Sequence, residues 1–372
     1  MASPFALLFP RKYLLVANLA RNGPVLRYDI GSGQFVDAFI SEGRPDLPFG
    51  DIELLPFDVQ KSPDGWIFAL TLNPREVWRY SQSDGGFAGL VVPNLEKKDD
   101  YRQAFCIAFG PDSNLYLSTY NGVFGAGSEV LRFDSKTGAS LGMFVPTKSG
   151  GLQGATCMTF GPDGNPYVAG DENASILRFN GFTGAFMDAF VPAHPYPNSV
   201  TPRGLAFGPD GHLYALAGPP RQAGATPGYG EPDRILRYNG ATGALMGEFV
   251  SPGAELSTAT AIVFGPDGNL YVGTIKQLVQ QTGPVYSHTG RILVYNGTTG
   301  AFIRALDPLD RAKLSYPISM TFATIPISIR DIIFMSRIPR WLWAFGIGIV
   351  IGAIASRLSS HSRGIGGIRK ER

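Results

Sequence analysis

Cysteine is nearly absent: the 372 residues hold two, Cys106 and Cys157. Two is too few for a disulfide framework or a cysteine zinc cluster. Histidine is scarce, with four copies. Charge is sparse and balanced, at 17% charged residues and a net charge of +2. That leaves no electrostatic footprint for nucleic acid, so no nucleic-acid partner is expected. No Ser-His-Asp, P-loop or paired-carboxylate pattern stands out. Glycine (47) and proline (29) are abundant, and 44% of the chain is hydrophobic. The composition describes a turn-rich chain with enough apolar content to build a core.

The turns repeat. "FGPDSNLYL" (109–117), "FGPDGNPYV" (160–168), "FGPDGHLYA" (207–215) and "FGPDGNLYV" (264–272) share one pattern, with a worn copy, "KSPDGWIFA", at 61–69. A second motif occurs six times, 46–59 residues apart: "VLRYDIGSGQF" (25–35), "VWRYSQSDGGF" (77–87), "VLRFDSKTGAS" (130–140), "ILRFNGFTGAF" (176–186), "ILRYNGATGAL" (235–245) and "ILVYNGTTGAF" (292–302). Gly33, Gly85, Gly138, Gly184, Gly243 and Gly300 hold one place in all six. A glycine fixed in every repeat marks a backbone position that needs positive φ.

Each unit reads as four short strands, here called A to D. In the fourth, "ATCMTF" is A, "PYVAG" is B, "SILRFN" is C and "AFMDAFV" is D. The A–B link "GPDGN" and the C–D link "NG-x-TG" are hairpin signals. Four strands in roughly 50 residues, repeated, predict the blades of an all-β propeller. The first unit (12–40) begins at strand B, and "LSYPISMTFA" (314–323) supplies a strand A with nothing after it. The chain is therefore expected to close a ring of six blades over 12–323, with 315–322 beside 13–18. Closure removes the sheet edges that invite aggregation.

One slot of strand A holds Asp58, Cys106, Cys157, Gly204, Ala261 and Ser319. These are mostly small residues, as the crowded wall of a central channel requires. Both cysteines share the slot in neighbouring blades. They read as buried thiols, since a disulfide needs a close approach of two inner strands.

The turn aspartates Asp64, Asp112, Asp163, Asp210 and Asp267 offer one carboxylate each, short of the ligand count calcium wants. The turns therefore read as architecture. A–B and C–D turns share one face of the disc, and this face is monotonous. B–C and D–A links share the other, which is varied. It carries D–A links at 41–53, 93–103, 146–153 and 192–202, and long B–C insertions at 218–233 and 276–290. Insertions gather on binding faces. Candidate binding residues at the channel mouth on that face are Gln103, Gln153, Arg203, Thr258 and Tyr316 before strand A, with Asp58 deeper. Tyr120, Asp171 and Glu172 follow strand B. A charge near the axis, as at Arg203 or Asp58, needs a partner.

"RGLAFGPDGHLYAL" (203–216) and "ILRYNGATGALMGEFV" (235–250) resemble NHL-repeat and related six-bladed propellers, above all the bacterial secreted or surface-anchored members. The resemblance covers roughly 12–323 and implies the propeller fold. The related superfamily includes sugar lactonases, virginiamycin-type lyases, amidating lyases and non-enzymatic binding propellers. Its enzymes hold metals at the channel mouth. Here His361 lies in the tail and His212 in a turn, leaving His194 and His288 for the varied face. A histidine zinc site is poorly supported. An oxygen set from Asp58, Asp171 and Glu172 keeps Ca²⁺ or another divalent metal open as a cofactor.

The C-terminus changes character. A linker (324–340) leads to "WLWAFGIGIVIGAIA" (341–355) and a tail carrying Arg357, Arg363, Arg369, Lys370 and Arg372. The apolar run is shorter than the roughly 20 residues of a standard span. Trp341, Trp343 and the basic flank nevertheless predict a membrane-anchor helix at 341–356, with a basic tail at 357–372 on the cytoplasmic side. This layout resembles a bacterial sorting tail without its Pro-Glu-Pro signature. It places the propeller outside, at the cell surface or secreted. The N-terminus lacks the layout of a signal peptide, so either the true start lies upstream, which is the expectation, or the chain is tail-anchored with a cytoplasmic propeller. The sequence thus predicts a monomeric, non-catalytic surface propeller that binds a protein or glycan. The alternative is a metal-dependent lactonase or lyase.

Overall fold

The computed structural model describes residues 11–325, apart from 21–22, 42, 44–54, 96–101, 122–126, 194–200, 219–232, 254–255, 257, 279–286 and 307–313. Residues 11–325 form one compact unit. Its strands fall into six antiparallel four-stranded sheets. Blade one holds β1 (Arg11–Asn18), β2 (Val25–Asp29) and β3 (Phe35–Ile40). Blade two holds β4 (Pro56–Lys61), β5 (Ile67–Thr71), β6 (Val77–Tyr80) and β7 (Phe87–Val92). Blade three holds β8 (Arg102–Phe109), β9 (Leu115–Asn121), β10 (Ser128–Phe133) and β11 (Ser140–Val145). Blade four holds β12 (Ala155–Phe160), β13 (Pro166–Gly170), β14 (Ser175–Phe179) and β15 (Phe186–Val191). Blade five holds β16 (Thr201–Phe207), β17 (Leu213–Gly218), β18 (Arg234–Tyr238) and β19 (Leu245–Val250). Blade six holds β20 (Ala259–Phe264), β21 (Leu270–Leu278), β22 (Ser287–Tyr295) and β23 (Phe302–Leu306). The last strand, β24 (Pro317–Ile325), returns to blade one.

That return closes the ring. β24 pairs antiparallel with β1, with Leu14 opposite Phe322 and Val16 opposite Met320. The expected six-bladed propeller is the observed fold. β24 runs on to Ile325, so Thr324 and Ile325 face Lys12 and Arg11 across the ladder. In blade six both ends of the expected B–C insertion at 276–290, residues 276–278 and 287–290, are strand. β21 and β22 stay in register from Thr274↔Arg291 out to Leu278↔Ser287. Nothing between 274 and 278 breaks the strand, so the ladder continues outward.

The core lies in the seams between blades rather than in one centre. Six clusters of buried residues fill the six seams. The repeated letters explain how. Tyr116 of β9 meets Phe144 of its own blade and Phe160 of the next, both edge-to-face with centroids 4.9 Å apart. Tyr167 with Phe190 and Phe207, and Tyr214 with Phe249 and Phe264, repeat the arrangement at 4.8–4.9 Å. Such pairs contribute beyond their buried area, by about 0.5–1.5 kcal/mol each.

The A–B turns are self-bonded, as the sequence suggests. Asp112 Oδ1 accepts from the Asn114 N–H at 3.1 Å, and Oδ2 accepts from the Tyr116 hydroxyl at 3.0 Å. Asp163, Asp210 and Asp267 do the same with Tyr167, Tyr214 and Tyr271. The motif's Asp therefore holds the ring that packs the seam. In the C–D turns the six fixed glycines have φ of 70–75°. A second constraint is not visible in one strand. A Cβ on Gly184 would stand 1.8 Å from Phe144 O of the preceding blade, and Gly138 and Gly243 meet carbonyls equally closely.

Among the described residues there is no α-helix, and no helix is long and apolar enough to cross a membrane. The expected anchor helix at 341–356, its linker beyond Ile325 and the basic tail lie outside the described residues. So do His194, the D–A segments 44–54, 96–101 and 194–200, and the B–C segments 219–232 and 279–286.

Candidate functional site

The inner strands β24, β4, β8, β12, β16 and β20 enclose a central cavity of about 640 Å³. This is the size of a small-ligand site. Each inner strand carries a register break near its start, where one residue is skipped in the pairing with its neighbour. The skipped residues are Ile318, Phe57, Phe105, Thr156, Arg203 and Thr260, in blade order. All six line the cavity. A β-bulge re-aims a side chain and is common beside binding sites. Because each inner strand starts at a D–A link, this ring lies toward the varied face.

The ring is not symmetric. Ile318, Phe57 and Phe105 make an apolar half. Phe57 and Phe105 meet edge-to-face at 5.4 Å, and Tyr120 adds its ring to Phe105 at 5.5 Å. Thr156, Arg203 and Thr260 make a polar half. Thr156 Oγ1 and Arg203 Nε are buried and have no hydrogen-bond partner among the described residues.

Arg203 faces Asp233, with Nη1 3.5 Å from Oδ1. Gly218 leaves the room for this pair: a Cβ there would lie 2.1 Å from Arg203 Nη2 and 2.5 Å from Asp233 Oδ1. Asp233 is 2% exposed. Burial pushes its carboxyl up to about 6, against the pull of the Arg203 charge and the Ala259 N–H. That N–H donates to Asp233 Oδ2 at 2.7 Å, tying blade five to the inner strand of blade six.

One residue deeper, the slot of small residues has an unforeseen role. Three of its members accept an N–H from the next inner strand. Ser319 Oγ accepts from Val59 N at 3.3 Å, Asp58 Oδ2 from Ile107 N at 2.7 Å, and Cys106 Sγ from Met158 N at 3.3 Å. Asp58 also accepts from the Ser319 hydroxyl and from Gln60 Nε2. Burial pushes its carboxyl up, and these hydrogen bonds pull it down. Both Asp58 oxygens thus hold blades together.

Of the residues singled out in the sequence, Asp58, Asp171, Arg203, Thr258 and Tyr316 line the cavity. Tyr120 reaches it through the Phe105 ring. Gln103, Gln153 and Glu172 lie outside its lining, with Gln103 exposed at the start of β8. The sequence does not single out Ile318, Phe57, Phe105, Thr156, Thr260 or Asp233. The first five sit one place before the small-residue slot, a signal visible only once the bulge is known. Among the described residues no group of three His, Cys, Asp or Glu is placed to hold a metal ion.

No family model matches the chain, and no curated protein matches it. Solved structures share its fold. The nidogen/laminin complex aligns with a TM-score of 0.58 at 14% identity, over 84% of this chain and 98% of that one. A protein of unknown function from Bacteroides caccae aligns with a TM-score of 0.55 at 13% identity, over 84% of this chain and 99% of that one. A streptogramin B lyase reaches a TM-score of 0.40 at 17% identity, over 70% and 94%, too loose an overlap to bear on chemistry. The first two likenesses establish the propeller fold, and a propeller hosts many functions.

Proposed function

We propose that this is a recognition propeller without catalysis of its own, taking a protein or glycan ligand at the varied-face mouth of its channel. The carrying observation is the ring of bulged residues. Six strands break register to turn Ile318, Phe57, Phe105, Thr156, Arg203 and Thr260 into one cavity, apolar on one side and polar on the other. Rigid aromatic rings with adjacent hydrogen-bonding groups suit a ligand with an apolar face and a polar edge. The opposite face has its turn carboxylates engaged in folding. The nidogen/laminin complex is a protein assembly on the same fold, which makes a protein ligand a natural first arm of the test. Probing the full chain against arrays of immobilised proteins and of glycans tests the reading. Saturable binding on either array is expected, weakened at least tenfold by Phe105→Ala. Binding insensitive to Phe57, Phe105 and Arg203 substitutions contradicts it.

The hydrolase or lyase reading retains one supporting observation. A cavity carboxyl at Asp233, titrating near 6 beside Arg203, is what general acid–base chemistry uses. Turnover of lactones that disappears in Asp233→Asn, in a variant that still folds, would move the reading to an enzyme.

We further propose that residues 341–356 anchor the chain in a membrane with the propeller outside. Trp341, Trp343, the apolar run and the arginines after it support this. Membrane association of the full chain that survives alkaline extraction is expected. It should be lost when Ile349→Asp and Ile351→Asp are combined. Labelling of the propeller in intact cells by an impermeant reagent tests the side.

A further inference from the structure

Cys106 and Cys157 are both free thiols. They occupy equivalent places in β8 and β12, the inner strands of adjacent blades, each one residue after a bulge. Both line the central cavity. Cys106 Sγ accepts from the Met158 N–H at 3.3 Å and lies 3.6 Å from Met158 O, the residue directly after Cys157. Cys106 and Met158 share one core cluster, and Cys157 packs against it. The neighbouring Cys157 thiol and burial together hold Cys106 well above the usual thiol range. Their access differs: Cys106 is 8% exposed, whereas Cys157 is half-buried on the channel. Disulfide formation fails where Cα atoms stand farther apart than roughly 7 Å or the side chains diverge. With Cys106 Sγ against the backbone of Met158, the residue bonded to Cys157, the two strands come close at this point.

We propose that Cys106 and Cys157 are an oxidation site, closing into an intrachain disulfide across the seam of blades three and four on meeting a small-molecule disulfide. The more accessible Cys157 loses its proton, and its thiolate attacks one sulfur of R–S–S–R. The S–S bond of the reagent breaks, a mixed disulfide forms, and the departing thiolate takes up a proton as RSH. Cys106 then loses its proton and attacks the Cys157 sulfur. The Sγ–Sγ bond forms, and the second R–S⁻ leaves and is protonated. Two protein thiols are oxidised by two electrons, and one R–S–S–R is reduced to two RSH. The second step is the slower one, because Cys106 is the more buried of the two thiols. The new bond ties together the two strands that present Phe105 and Thr156, so it fixes the spacing of neighbouring rim residues in the apolar and polar halves of the mouth.

The test exposes the reduced full chain to oxidised glutathione, quenches it with an alkylating agent in denaturant, and maps both cysteines by mass spectrometry. The expected result is a cross-linked peptide joining Cys106 to Cys157, no alkylation at either, and full reversal by reductant. Cys106→Ala is expected to stop at a glutathione adduct on Cys157. Cys157→Ala is expected to leave Cys106 unmodified by glutathione. The wild-type result decides even if a variant fails to fold. A stable adduct without a cross-link, a cross-link between two chains, or two alkylated cysteines after the exposure would overturn the proposal.

Discussion

The Ser319 hydroxyl donates to Asp58 Oδ1 at 2.5 Å, across 261 residues of sequence. Ser319 lies on β24, the strand that closes the ring, and Asp58 lies on the inner strand of the next blade. Asp58 Oδ2 continues the chain to Ile107 N of blade three. Replacing Asp58 by Ala leaves a buried hydroxyl and a buried N–H without their acceptor, at about 2–4 kcal/mol. A lower thermal unfolding midpoint for the full chain is the expected outcome. Asp58→Asn should recover part of the loss, because an amide oxygen can still accept one of the two bonds.

The turn face should be separable from the mouth. In blade six, Asp267 accepts from Asn269 N at 3.2 Å and from the Tyr271 hydroxyl at 3.0 Å. Asp267→Ala is predicted to cost about 1–3 kcal/mol of stability. Ligand affinity at the mouth should stay within twofold. Denaturant titration and a binding isotherm on the same preparation check both.

Glycines with positive φ should not behave alike. At Gly184 an added Cβ meets a carbonyl oxygen at 1.8 Å, whereas at Gly142 (φ 93°) it meets nothing within 4 Å. Gly142→Ala should cost about 1–2 kcal/mol of backbone strain. Gly184→Ala adds a clash between blades and is predicted to abolish cooperative unfolding. Calorimetry of the two variants distinguishes them.

Asp233 gives the protein a specific pH signature. Its folded-state carboxyl titrates at about 6, above its ordinary value of 3.8. Folding therefore favours the protonated form. The associated stability is fully present below pH 3.8 and is lost as pH rises through 6. The wild-type advantage over Asp233→Asn should fall by about 3 kcal/mol across that window. Urea midpoints of the two proteins at matched pH check the slope. A flat difference would show that Asp233 ionises normally in the fold.

Much of this architecture is legible in the sequence alone. "GPDGN" and "NG-x-TG" are chemical instructions for turns, so strands such as Ala155–Phe160 and Pro166–Gly170 could be placed from them. The missing first strand A and the surplus last one announced the closure by β24. The site was legible only in part. Arg203 and Asp58 stand out because a charge near an axis is costly. Phe57 and Phe105 looked like ordinary strand residues, because a bulge depends on pairing with a neighbour and leaves no local mark. Asp233 sat in the varied B–C insertion, and its role emerges only through contacts with Arg203 and Ala259. The second use of the slot, accepting N–H groups across seams, is a relation between blades that no single repeat contains.

Recognition at the mouth is tested by comparing two variants on the same protein and glycan arrays. One combines Phe57→Ala, Phe105→Ala and Arg203→Ala at the mouth. The other carries Asp267→Ala on the turn face. Ligands of the wild-type chain should be lost by the mouth variant, at unchanged fold by circular dichroism, and kept by the turn variant. Ligands that survive the mouth substitutions, or depend on Asp267, would contradict recognition at the mouth.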